Sequence, residues 1–199
     1  MLPFSNVAAM LQSMIRFSSL VGDCNVKVRE IVERIQATDS QHLPGKWSSL
    51  NLAFLDPAGL DLRWDTVATL AQPYTMDLII HYPQGGLNRY MGKACESEEL
   101  TKVDFSFGGS EWREIYKKCR DKQGSCDHRQ LMDLYKDKLQ RLNYKEVFRD
   151  DEVGDEPLMR NAQRKAPLYR LMFASKHPLG NRFWHDVTRR DVHGLTRLF

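Results

Sequence analysis

Leu50-Asn51-Leu52-Ala53-Phe54-Leu55 is an apolar run that stops abruptly at Asp56-Pro57-Ala58-Gly59, with a helical pattern after it. Bounded by turn residues, such a run reads as a strand buried on both faces, as in a parallel sheet. In open α/β sheets the ligand crevice lies at the carboxyl ends of the strands. That places Asp56 and Pro57 in the crevice. A carboxylate there either accepts a hydrogen bond from a ligand or caps the turn that follows. Pro57 has no N–H, so its carbonyl and the Asp56 oxygens form a rim of acceptors suited to an NH₂ group.

The flanking patterns supply the rest of a sheet. Val7, Met10, Leu11, Met14 and Ile15 share one helix face, and residues 18–22 read as a short strand leading to Asp23-Cys24-Asn25. Asn25 is the expected N-cap of a helix lined by Val28, Ile31, Val32 and Ile35. After the 50–55 strand, Asp61 opens a helix carrying Trp64, Val67, Ala68 and Ala71, which Pro73 stops. Residues 76–82 form a third strand, ending in Pro83-Gln84-Gly85-Gly86. This alternation argues for parallel βαβ units. Farther on, the expectations are a short helix at 87–91, a loop at 105–110, and Ser110 capping a helix that runs to Cys119. A helix from about His128 carries Leu131, Tyr135, Leu139 and Leu142, and 144–148 reads as a strand before an acidic turn at 150–156. Residues 168–174 form a strand, and Pro178 sits in the first turn of a last helix with Phe183, Trp184 and Val187. No repeat or low-complexity linker interrupts residues 1–199, so one domain is expected.

Hydrophobic content of 42% and charged content of 28% place the chain in the soluble globular class. No apolar stretch approaches the ~20 residues of a membrane span, and none has the form of a secretory signal. Cys24, Cys95, Cys119 and Cys126 are too few and scattered for a disulfide scaffold, which points to a reducing cytoplasm. The net charge of +3 is uneven: residues 160–199 hold nine Lys/Arg and two Asp, a net of +7, leaving −4 for the rest. A basic C-terminal lobe suits a phosphate-bearing partner such as a nucleic acid, or simply solvates a helix.

Gly85-Gly86 permits close backbone approach, and Asn88 and Arg89 behind it are candidate substrate or partner contacts at the same crevice. Asp23 is either an acceptor for a nucleoside amine or ribose, or the start of an Asx-type turn. Cys119, Cys126 and His128 lack the close Cys spacing of a structural zinc site, and His177, His185 and His193 stand too far apart for one ion. No metal is expected. No Gly-x-Ser-x-Gly elbow or Walker-type loop is present.

Several phrases occur together in order: Val21-Gly22-Asp23-Cys24-Asn25, Phe54-Leu55-Asp56-Pro57-Ala58-Gly59-Leu60, Trp64-Asp65-Thr66, Gly86-Leu87-Asn88-Arg89, and the long Tyr169-Arg170-Leu171-Met172-Phe173-Ala174-Ser175-Lys176-His177-Pro178-Leu179-Gly180-Asn181. This set resembles the three-Cys-motif partner (TcmP) family, over nearly the whole chain. The resemblance implies a class I S-adenosylmethionine-dependent methyltransferase fold: an α/β, mostly parallel sheet flanked by helices, Rossmann-like but incomplete, with a C-terminal antiparallel strand. It implies a partner protein that carries the three cysteines. Asp23, with Cys24 beside it, takes the position that contacts the cofactor's adenine. Asp56-Pro57 takes that of the Asp-Pro-Pro-aromatic motif, which holds a target amine by its carboxylate and proline carbonyl.

The chain departs from that pattern in two places. Ala58 and Gly59 stand where an aromatic would stack on a flipped base, which argues against base methylation. Gly22 is the only glycine before Asp23, so the first strand and its Gly-rich turn are missing. The expectation is therefore a truncated methyltransferase-like domain acting on an amine. The alternative is a non-catalytic protein that binds a protein or nucleic-acid partner.

Overall fold

A computed structural model describes residues 19–40, 50–73, 75–120, 126, 128–144, 158–161, 163–164 and 167–188. The expected helix over residues 7–15 and the acidic turn at 150–156 lie outside these residues, as does all but Tyr144 of the expected strand at 144–148.

The first described element is helix α1, Cys24–Ser40, followed by strand β1, Asn51–Leu55, and helix α2, Trp64–Leu70. Strand β2, Met76–Tyr82, leads to helices α3, Gln84–Glu96, α4, Lys102–Phe107, α5, Trp112–Cys119, and α6, Arg129–Arg141. The chain then returns as β3, Leu158–Arg160, and β4, Pro167–Ala174, and ends in helix α7, Pro178–Thr188.

The four strands form one sheet in the order β1-β2-β4-β3. Only β1 and β2 run parallel, with Leu55 level with Ile80; β4 is antiparallel to both β2 and β3. The sheet is thus mixed, not mostly parallel. The reason is topological: β4 returns from the helical segment beside β2, where a further parallel strand would stand. The expected antiparallel C-terminal strand is β4. Residues 19–23 form no strand, so the expected strand at 18–22 is absent over its described part.

Alternation along β2 explains why it is central. Met76, Leu78, Ile80 and Tyr82 are buried on one face, with Met172 and Ala174 of β4 beside them. Helices α2 to α6 close this face with Val67, Leu87, Met91, Phe107, Trp112 and Leu139. The opposite face is covered by α7, whose Trp184 stacks on Phe173 at 5.1 Å between ring centroids. β1 is half covered: Leu52 is 62% exposed and Phe54 59%. A strand buried on both faces was expected here. The run is apolar on both sides, but β1 is an edge strand among the described residues, and only its inner face meets the helices.

Local chemistry moves several boundaries. α3 starts at Gln84, so Gly85 and Gly86 lie in its first turn and not in a free loop. Phe105 and Phe107 lie in α4, not in a loop, because Thr101 and Asp104 form a reciprocal capping box that nucleates it. Ser110 offers its backbone carbonyl to Arg113 and caps nothing with its side chain; Glu111 is the cap residue of α5. α2 begins at Trp64, three residues after Asp61.

The C-terminus of α4 is satisfied from outside. Lys138, buried on α6, donates to the carbonyls of Phe107 at 2.7 Å and Gly108 at 3.2 Å, and meets Glu111. Lys138→Met keeps the apolar stem and removes these donors. Thermal unfolding is expected to show a loss of about 1–3 kcal/mol, the cost of leaving buried acceptors unmade. An unchanged melting temperature would mean that water takes over both carbonyls.

Cys119 and Cys126 are joined as a disulfide with Cα atoms 5.2 Å apart, a separation that ordinary bridge geometry allows. The cysteine count argued against a disulfide scaffold and for a reducing cytoplasm; one bridge forms, and Cys24 and Cys95 are free. Among the described residues no helix is long and apolar enough to cross a membrane.

Candidate functional site

The parallel pair β1/β2 brings two side chains together at its carboxyl end. Register sets Leu55 against Ile80, so the next residues, Asp56 and His81, are neighbours on the same face. Asp56 Oδ1 lies 2.5 Å from His81 Nδ1. The Asp56 side chain is 60% exposed, whereas that of His81 is 16% exposed and its ring packs on Tyr169 of β4, centroids 3.9 Å apart. Asp56 thus faces a histidine and solvent instead of capping its own turn. A carboxylate only accepts, so His81 Nδ1 carries the proton of this bond.

Sequence reasoning found Asp56 and missed His81. The signal was there: His81 is the penultimate residue of a clear strand, and its level relative to Asp56 follows once the two strands are paired in parallel.

Two openings flank this pair. A cavity bordered by Pro57, Gly59, Leu60, His81, Pro83 and Leu87 measures ≈ 10 Å³, room for a single water. Any larger ligand must therefore sit outside it. Beyond Gly59 runs a groove of ≈ 520 Å³ lined by Leu60, Asp61, Tyr90, Lys93, Thr101 and Lys102. Asp61 and Lys102 pair across it at 2.7 Å, which raises the lysine pKa through that hydrogen bond and the charge behind it.

Of the other expected site residues, Asp23 and Asn88 are spent on structure. Asp23 accepts from the backbone N–H and the side-chain Nδ2 of Asn25, both at 2.9 Å, and its carbonyl receives Val26 and Lys27. Asp23, not Asn25, is therefore the N-cap of α1. Asn25 lies inside the helix and ties it to the next segment through the Asp61 carbonyl, the Arg63 N–H and the Thr66 hydroxyl. Cys24 is exposed and free. Asn88 Oδ1 accepts from Nε2 of the buried His128 at 2.7 Å, while His128 Nδ1 meets the Tyr82 hydroxyl at 3.0 Å. This tie holds α3 to the start of α6 and the end of β2. Arg89 is exposed on α3 beside it.

The cofactor implied by the resemblance does not fit these residues. Asp23 is engaged in capping α1, and the outer edge of β1 has no neighbouring strand among the described residues. In the basic lobe, Lys176 donates to the Ala71 and Pro73 carbonyls and Arg170 to Gln84, so two of its cations serve internal bonds. No protein-family model, curated protein or solved structure matches the chain.

Proposed function

We propose that this chain is a methyltransferase-like protein of the three-Cys-motif partner type, and that its Asp56–Pro57 crevice receives an amine. The observation that carries this reading is the open Asp56 carboxylate at the carboxyl end of β1, held by His81 and followed by a residue with no N–H. An amine is a group that supplies donors to such a carboxylate. In this reading the part of the chain is to orient the amine at Asp56.

A second reading is favoured by the capped Asp23 and the open edge of β1: amine recognition without methyl transfer, in a protein that binds a partner. Calorimetric titration of the folded chain with S-adenosylmethionine separates the two. Micromolar binding supports methyl transfer, and Asp56→Ala should then lower transfer to an amine by ~100-fold or more while cofactor binding is kept. No heat from a chain shown by circular dichroism to be folded leaves the second reading. Full transfer by Asp56→Ala removes Asp56 from the site.

A further inference from the structure

The outer face of the sheet, opposite the core, is covered over β4 and bare over β1. Register places Phe54 of β1, Ile79 of β2 and Phe173 of β4 in one row across that face. Cover falls off along the row. Phe173 lies under Trp184 of α7, Ile79 is half-buried, and Phe54 is exposed. Leu52, two residues earlier on the same face of β1, is exposed as well. Asp56 follows Phe54 on this face and meets His81, the next residue of β2 there. In an α/β layer an apolar strip of this kind is closed by a helix.

The chain has a segment suited to it. Residues 1–18 lie outside the described residues and hold one charged side chain, Arg16. Val7, Met10, Leu11, Met14 and Ile15 fall on one helical face. Their point of entry is fixed. Asn25 bonds the Asp61 carbonyl and the Arg63 N–H, which pins the start of α1 to the loop that follows β1. From there, residues 16–22 can span up to ~25 Å when extended. A helix over residues 7–15 would be ~14 Å long, against ~17 Å for β1. Length and reach therefore both suit Leu52 and Phe54. The alternatives suit them less. Residues 189–199 carry Arg189, Arg190, Asp191 and Arg197 and are interrupted by Gly194, and residues 41–49 contain Pro44-Gly45.

We infer that residues 7–15 dock as an amphipathic helix on the outer face of β1, over Leu52 and Phe54 and beside Asp56. The segment then shares that face with α7 and walls the crevice on its open side. This inference does not rest on the amine reading.

The test is a photo-cross-link in the full chain. Phe54 is replaced by p-benzoylphenylalanine, the chain is irradiated, and the products are digested with trypsin and sequenced by mass spectrometry. The expected product has the mass of one chain and joins the peptide Met1–Arg16 to the peptide Trp47–Arg63. Met10→Asp with Leu11→Asp should lower its yield roughly tenfold or more, because both carboxylates would face the apolar strip. Gln12→Asp lies off that face and should keep the yield, so a general failure to fold would show in both variants. Three outcomes overturn the inference: the pair found only at twice the chain mass, which gives the face to a second copy; a link to residues 189–199 in its place; or no link to Met1–Arg16 at all. Equal yields from the two variants would overturn it too. None of these results depends on whether S-adenosylmethionine or an amine binds.

Discussion

Arg113→Ala is expected to cost about 3–5 kcal/mol, the price of stranding a buried carboxylate. Asp104 is 2% exposed. Arg113 holds it with Nε on Oδ1 at 3.0 Å and a terminal nitrogen on Oδ2 at 2.8 Å. Trp112 Nε1 donates to Oδ1 at 3.1 Å, and the Thr101 N–H and hydroxyl donate to Oδ2 at 2.7 and 2.6 Å. The same guanidinium also donates to the Ser97 and Glu99 carbonyls, so one side chain ties the end of α3, the cap of α4 and the body of α5. Without Arg113 the carboxylate keeps its other bonds but loses its counter-charge. For a chain of this length the cost corresponds to a melting temperature lower by roughly 6–20 °C. A drop under 2 °C would mean that the pair is solvated in solution. Arg113→Lys should recover only part of the loss, since an ammonium cannot make the two parallel bonds of the fork.

The same cluster sets an acid limit. Burial by itself opposes ionisation of Asp104, but the bonds from Arg113, Thr101 and Trp112 outweigh it and hold the carboxyl well below the usual carboxylate range. A depressed folded-state pKa contributes stability that is complete above the unfolded value of ~3.9 and is lost as pH falls below it. Denaturant melts at falling pH should therefore lose stability below about pH 4. Asp104→Asn should flatten that slope, starting from a lower plateau. An unchanged acid slope in Asp104→Asn would assign the acid limit to other carboxylates.

How far the sequence foretells this molecule depends on what each pattern reports. The β2 run was legible to the residue because alternation, length and Pro83 agree. The ends of β4 and the start of α7 were legible for the same reason, with Pro178 preset for a first turn. β1 was placed correctly but read as central, since an apolar run says that side chains avoid water and not which neighbours cover them. The antiparallel C-terminal strand was expected and is β4, but the sheet was read as mostly parallel because three parallel strands were expected, and residues 19–23 form none. α4 was missed because it is six residues long, and its stability lies in a capping box and in Lys138 from a helix 30 residues away.

The site was half legible. Asp56 could be named from the strand-to-turn transition; His81 needed the register of a neighbouring strand. The long phrase around Lys176 carried most of the resemblance; its first residue, Tyr169, packs on His81, but Ser175 and Lys176 form a corner at the other end of the sheet. Ser175 bonds the His177 N–H and Lys176 ties the loop after α2, so a family-like phrase marks a packing constraint as readily as a catalytic one.

Gly108→Ala is expected to destabilise the chain by about 2–5 kcal/mol, from two independent physical causes. Gly108 ends α4 in the left-handed region, φ 68°, where its N–H reaches back to Asp104 and Phe105. A side chain in that conformation costs roughly 1–2 kcal/mol by backbone sterics alone. In addition, a Cβ at this position would stand 2.7 Å from Trp64 Cβ and closer still to the indole ring. Trp64 cannot step aside freely, because its ring packs edge-on against the buried Tyr135 at 5.0 Å and beneath Lys138. Overpacking of that kind adds roughly 1–3 kcal/mol. The neighbouring Gly59 supplies the control. It has a similar φ of 67°, but no heavy atom lies within 4 Å of its Cβ position. Gly59→Ala should show the backbone cost alone, so the difference between the two melts measures the steric clash with Trp64. Equal losses for the two variants would show that the indole yields and that only the left-handed turn demands glycine.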